Sequence, residues 1–112
     1  MSGHKKLTIA LDYDGTFTAD PEGWSEWLAL FKARGHTVFI VTMRFDHVSE
    51  HIPKFTKRMV DGIYYTERKA KRKFMEEQGI KVDVWIDDRP EAIHMDAAEA
   101  FGVAFEQGNT QE

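Results

Sequence analysis

Short apolar runs alternate along this chain with segments in which apolar residues recur at helical spacing. Leu7-Thr8-Ile9-Ala10-Leu11 has the character of a buried strand and stops at Asp12. Trp24, Trp27, Leu28 and Phe31 then predict a helix that ends near Arg34-Gly35. Val38-Phe39-Ile40-Val41 predicts a second buried strand, closing at Thr42. A weaker helix is expected from Asp46, with Pro53 starting, kinking or interrupting a segment of it. Gly62-Ile63-Tyr64-Tyr65 predicts a short strand, after which Thr66-Glu67 would cap a helix running through Gln78 and stopping at Gly79. Residues 82–86 predict another strand, broken by Asp87-Asp88. Pro90 suits the first turn of a helix reaching Ala100, and Val103-Ala104-Phe105 would add a last strand before a frayed tail.

The order is βαβαβαβαβ, without repeat or linker. It predicts a single α/β domain over residues 1–112: a Rossmann-like parallel sheet of about five strands with helices on both faces. In such sheets ligands collect outside the carboxyl ends of the strands, so the polar residues at the strand exits carry the functional argument.

Composition narrows the chemistry. The 112 residues include no cysteine, which excludes disulfides, thiolate metal sites and thiol nucleophiles. No apolar run approaches the ~20 residues of a membrane span, and a soluble, cytoplasmic protein is the expectation. The net charge of −4 conceals an asymmetry. Residues 54–73 hold eight of the fifteen Lys and Arg against only Asp61 and Glu67, a pattern that marks either polyanion contact or a solvated helix face.

Three strand exits are polar: Asp12-Tyr13-Asp14-Gly15-Thr16, Thr42-Met43-Arg44 and Asp87-Asp88-Arg89. Carboxylates converging from neighbouring strands repel one another unless a cation lies between them, and hard oxygen donors at that density suit Mg²⁺. His47 and His51 stand four residues apart but lack a third ligand for a zinc site. Trp24, Trp27 and Phe31 read as core.

Asp12-Tyr13-Asp14-Gly15-Thr16-Phe17-Thr18 after an apolar strand resembles the first motif of the haloacid dehalogenase superfamily of phosphotransferases. Thr42 resembles the second motif, and Ile86-Asp87-Asp88-Arg89-Pro90 the fourth in its double-aspartate form. The third motif, a lysine near the start of the preceding helix, has three candidates in Lys69, Lys71 and Lys73. The resemblance implies a Mg²⁺-dependent phosphomonoesterase. In it Asp12 is the nucleophile that forms an aspartyl-phosphate, and Asp14 is the acid and base for leaving group and water. Asp12, the main-chain carbonyl of Asp14 and Asp88 would hold the metal, with Asp87 supporting them. Thr42 would bind a phosphoryl oxygen, and a lysine would neutralise transition-state charge. Lys69 is the first choice because it follows Thr66-Glu67 within a turn; Lys71 is the alternative. Arg44 is expected to fork onto a second phosphate or the substrate backbone, Gly15 to permit a tight turn, and Met43 and Phe45 to line the entrance. Arg89 is expected to pair with Asp87 or Glu91.

The intervals from Gly15 to Gly23 and from Arg44 to Thr66 are too short for the cap domain of larger relatives, so the expected site is open. Open sites suit large substrates or borrow a lid from another subunit. One reading is therefore a phosphatase of polynucleotide ends, such as a 3′-phosphate, using the basic segment for salt-dependent contact. The other is a small-metabolite or sugar-phosphate phosphatase closed by oligomerisation, which the net acidity favours. A phosphoacceptor signalling domain of receiver type is a third reading. Its expected phosphoacceptor after the third strand is replaced here by Thr66.

Overall fold

The computed structural model describes residues 3–47 and 51–102. Nine elements follow one another: β1 (Thr8–Leu11), α1 (Pro21–Ala33), β2 (Thr37–Thr42), α2 (Lys54–Met59), β3 (Gly62–Tyr65), α3 (Lys71–Glu77), β4 (Val84–Ile86), α4 (Glu91–His94) and α5 (Ala97–Phe101). A single 3₁₀ turn at Phe17–Ala19 links β1 to α1. The strands form one parallel sheet in the order β3-β2-β1-β4.

The strand alternation assigns each face its helices. Ile9, Leu11, Val38 and Ile40 point to one side, where Leu28, Trp24, Trp27 and Phe31 of α1 cover them together with Ile52 and Val60. Ala10, Val41, Phe39, Tyr64 and Trp85 point to the other, against Met75 and Phe74 of α3. Each aliphatic side chain buried in this way stabilises the fold by roughly 1.5–3 kcal/mol. The aromatic residues of α1 are thus core, as their spacing predicts.

Register brings the strand exits to one edge. Leu11 pairs with Ile40 on one side and Ile86 on the other, and Thr42 pairs with Tyr65. The Asp12 N–H donates to the Ile86 carbonyl at 2.9 Å, so Asp12 and Asp87 leave adjacent strands at the same level.

Four strands are present among the described residues where about five were expected; the fifth, at 103–105, lies outside them. Three helix boundaries also differ from expectation. Pro53 opens α2, so no helix runs from Asp46 to it within the described residues. The helix expected at Thr66 begins only at Lys71, because Glu67 and Arg68 take left-handed backbone conformations (φ 55° and 72°) that no helix can include. The helix after Pro90 divides into α4 and α5 at Met95, which is extended, and α5 restarts where the Glu99 carboxylate accepts the Asp96 N–H at 3.2 Å. Among the described residues there is no second domain over the strand exits, and no helix is long and apolar enough to cross a membrane.

Candidate active site

The exits of β1, β2 and β4 and the loop before α3 enclose a cavity of about 430 Å³ lined by Asp12, Asp14, Gly15, Thr42, Met43 and Arg44, and by Arg68, Lys71, Asp87, Asp88, Arg89, Ala92 and Phe101. At its floor Asp12 is only 8% exposed. The Lys71 ammonium, 2% exposed, donates to Asp12 Oδ1 and to Asp87 Oδ2, each at 2.7 Å. Lys71 occupies the first position of α3 and crosses to the sheet edge from there.

Lys69, the first choice from sequence, is not at the floor. It is exposed and lines a separate groove with Lys73, on the far side of the α3 start. The first helical turn begins later than expected, and the lysine at its start is Lys71. The Thr66 hydroxyl donates to the Lys69 carbonyl at 2.8 Å, and Asp96 accepts the Ala70 N–H at 2.7 Å. These bonds hold residues 66–70 as an ordered connection and deliver Lys71 to the carboxylates. Of the eight basic residues in 54–73, only Arg68 and Lys71 line the cavity.

Burial pushes the Asp12 carboxyl up to about 7. The Lys71 ammonium opposes that rise, and the Asp87 carboxylate adds to it. Asp12, Asp87 and Asp88 each offer an oxygen within 4.8 Å of the others, the one such group of three among the described residues. His47 and His51 are not part of it. All donors are carboxylate oxygens, the set a small divalent cation prefers, and they belong to strand exits that the sheet register holds in place.

Thr16 is a site residue that the sequence reading quoted without assigning. Its hydroxyl lies 2.9 Å from Asp12 Oδ2 and 3.2 Å from Asp88 Oδ1, and accepts the Asp88 N–H at 3.1 Å. It ties the first and fourth strand exits together. Gly15 beside it has φ 86°, and a Cβ there would stand 2.5 Å from Asp88 Oδ2. The glycine is required both for its backbone angle and for the room it leaves Asp88.

Thr42 is buried, faces the cavity and accepts the Arg44 N–H at 3.2 Å, shaping the turn after β2. Arg44 reaches back to Asp14 through both Nε and Nη2, and its guanidinium lies 5.0 Å from the Tyr13 ring centre. Asp14 is exposed at the mouth. Met43 lines the cavity; Phe45 carries the Arg68 guanidinium 5.1 Å above its ring. The Arg89 side chain sits 4.0 Å from Glu91 and 4.3 Å above Phe101, while the Arg89 main-chain N–H donates to Asp87 Oδ1 at 2.9 Å. Arg68 and Phe101 were missed from sequence: the first owes its place to a left-handed backbone and the second to the break between α4 and α5.

No protein-family model matches the chain, and comparison with curated proteins and with solved structures finds no match.

Proposed function

We propose that this protein is a phosphomonoesterase that works through an aspartyl-phosphate and takes Mg²⁺. The observation that carries the reading is the buried Asp12 carboxylate, paired with the Lys71 ammonium at 2.7 Å and opening into a cavity whose mouth carries Asp14. A buried carboxylate that lines an open cavity with an ammonium beside it is equipped for attack on an electrophilic phosphorus. The resemblance of its surroundings to haloacid dehalogenase motifs points the same way.

In this scheme Asp12 attacks the phosphorus, the ester P–O bond breaks, and Asp14, swung out of the Arg44 fork in its protonated form, gives its proton to the departing oxygen. Asp14 then takes a proton from the water that cleaves the aspartyl-phosphate, regenerating Asp12 and releasing inorganic phosphate. Lys71 holds Asp12 in line and offsets charge developing on the phosphoryl oxygens. The Thr42 hydroxyl is placed to donate to one of those oxygens. Asp87 keeps Lys71 oriented through its own 2.7 Å bond.

Asp12 and Asp88 fit a Mg²⁺ ion. The resemblance implies the main-chain carbonyl of residue 14 as a further donor, and the Asp14 carboxylate itself is engaged by Arg44. When bound, the ion supplies Lewis-acid charge that reduces repulsion between an anionic nucleophile and an anionic phosphate.

No element among the described residues covers the mouth, which favours substrates that extend beyond the cavity, a phosphorylated polynucleotide end among them. The test is phosphate release from an aryl phosphate and from a 3′-phosphorylated oligonucleotide, each with Mg²⁺ and with chelator. Chelator-sensitive release that disappears in Asp12→Asn is the expected result; release that persists in that variant would remove the nucleophile and with it the proposal.

A further inference from the structure

The basic stretch 54–73 divides into three sets in the folded chain. Arg68 and Lys71 line the cavity. Lys69, Arg72 and Lys73 sit at the start of α3, where acids answer them: Arg72 bonds Glu76 at 3.2 Å, and Lys69 and Lys73 share a groove with Glu77 and Asp96. Lys54, Lys57 and Arg58 lie on α2, exposed, and line no part of the cavity. Among the described residues none of these three enters an ion pair. Residues 51–60 hold no carboxylate, and Asp61, the acid that follows, is bound to Lys32 and to the Val38 N–H.

Among these cations stands Phe55, 65% exposed and a member of neither core cluster. It is the one exposed Phe, Tyr or Trp ring among the described residues. The local pattern explains why it faces out. Ile52, Thr56 and Val60 recur every four residues and are buried, so positions 54, 55, 57 and 58 are left to solvent. Residues three or four apart are neighbours on a helix surface, which places Arg58 beside both Phe55 and Lys54. The result is one aromatic ring flanked by three cations with no acid between them.

A single-stranded nucleic acid supplies both halves of this match: a base face for the ring and, on either side of it, backbone phosphates for the cations. Bases in a duplex are already stacked on one another and leave the ring nothing to cover. An anionic membrane fits less well, because an interfacial helix needs a broad apolar face and the apolar residues that flank α2, Ile52 and Val60, are buried in the core. An acidic peptide would engage the cations but brings no recurring ring face to Phe55. We infer that α2 is a docking surface for single-stranded nucleic acid, with Phe55 stacking on an unpaired base and Lys54, Lys57 and Arg58 holding the adjacent phosphates. The surface is separate from the cavity and does not rest on the phosphomonoesterase reading.

The experiment is fluorescence anisotropy over a range of salt, with an internally labelled DNA strand of ~12 nucleotides that carries no terminal phosphate. The intact chain is expected to bind the strand more tightly than the same strand annealed to its complement. Its affinity should fall with salt on a log–log slope of about −2, the sum of three single-strand phosphate contacts. Phe55→Ala should weaken binding ~5-fold or more, the scale of one stacked base, with the slope unchanged, and Phe55→Trp should restore it. Lys57→Gln and Arg58→Gln should each lower the slope by ~0.7. All these side chains are exposed, so the variants should melt with the parent chain. Absence of binding at low salt overturns the surface, as does a duplex bound equally well. Binding that none of the α2 variants alters places the strand elsewhere and overturns it too. Capture on phosphatidylserine vesicles without binding of the strand assigns α2 to membranes and ends the proposal. The strand has no phosphate monoester to release, so this result and that of the phosphatase assay stand independently.

Discussion

Arg44 grips Asp14 with two parallel bonds, Nε to Oδ2 and Nη2 to Oδ1, each 2.9 Å long. The carboxylate is exposed, so the pair adds little to stability; its effect is to set the direction of an otherwise free side chain. Asp14→Asn should lower kcat by ~10²–10⁴-fold. It should also steepen the dependence of kcat/KM on leaving-group pKa across a series of aryl phosphates, because a poor leaving group needs the proton most. Arg44→Lys keeps the charge but loses the fork, and should give a smaller change of the same kind. An unaltered slope in Asp14→Asn would remove the acid role.

Asp12→Asn should lose ~10³-fold or more of turnover while melting as cooperatively as the parent chain. The substitution is nearly isosteric, and the Thr16 hydroxyl remains in reach of the new amide oxygen. Circular dichroism melts alongside the phosphate assay separate loss of chemistry from loss of fold.

The two lysines make opposing predictions. Lys71→Met removes the cation that two buried carboxylates share and should cost activity ~10²-fold or more, with about 3 kcal/mol of stability. Lys69→Gln, at an exposed position in another groove, should change kcat/KM by no more than about twofold. Urea titration and steady-state kinetics on both variants would reverse the assignment if Lys69 proved the sensitive one.

Burial raises Asp12 to about 7, from 3.8 for the free side chain. The folded chain therefore binds more protons than the unfolded chain between these values. Asp12 contributes stability at pH 4 that declines as pH rises, by up to about 4 kcal/mol at pH 7. Metal binding requires the ionised carboxylate, so Mg²⁺ affinity should increase up to ~10-fold per pH unit below 7 and level off above it. Calorimetry in buffers of different ionisation enthalpy should register nearly one proton released per Mg²⁺ at pH 6 and almost none at pH 8. Equal proton release at the two values would contradict the role of Asp12 as a ligand.

Gly15 and Gly79 have similar positive φ, 86° and 79°, but only Gly15 has a neighbour that a Cβ would strike. Gly79→Ala should cost about 1 kcal/mol from backbone strain alone. Gly15→Ala should cost more and also weaken Mg²⁺ binding, since Asp88 must move. Equal Mg²⁺ affinity in Gly15→Ala and the parent chain would place Asp88 outside the metal site.

What the amino-acid order determined by itself is the sheet and the acids at its edge. Strands β1 to β4 are short apolar runs ended by polar residues, and β-structure with two buried faces is written in contiguous residues. Asp12, Thr42, Asp87 and Asp88 are the first polar positions after those runs, so their convergence followed once the strands were parallel neighbours. The remainder depended on contacts between distant residues. Lys71 displaced Lys69 because Thr66 and Asp96, the latter 26 residues from Ala70, hold the connection before α3 out of helix. Arg68 faces the cavity because bonds to Met43 and Ala97 sustain a backbone angle that its residue type disfavours. Thr16 links two carboxylates, one 72 residues from it and the other four. Local periodicity carries no record of such bonds; they form only when the sheet has brought its strand exits together, and the tertiary structure alone decides them.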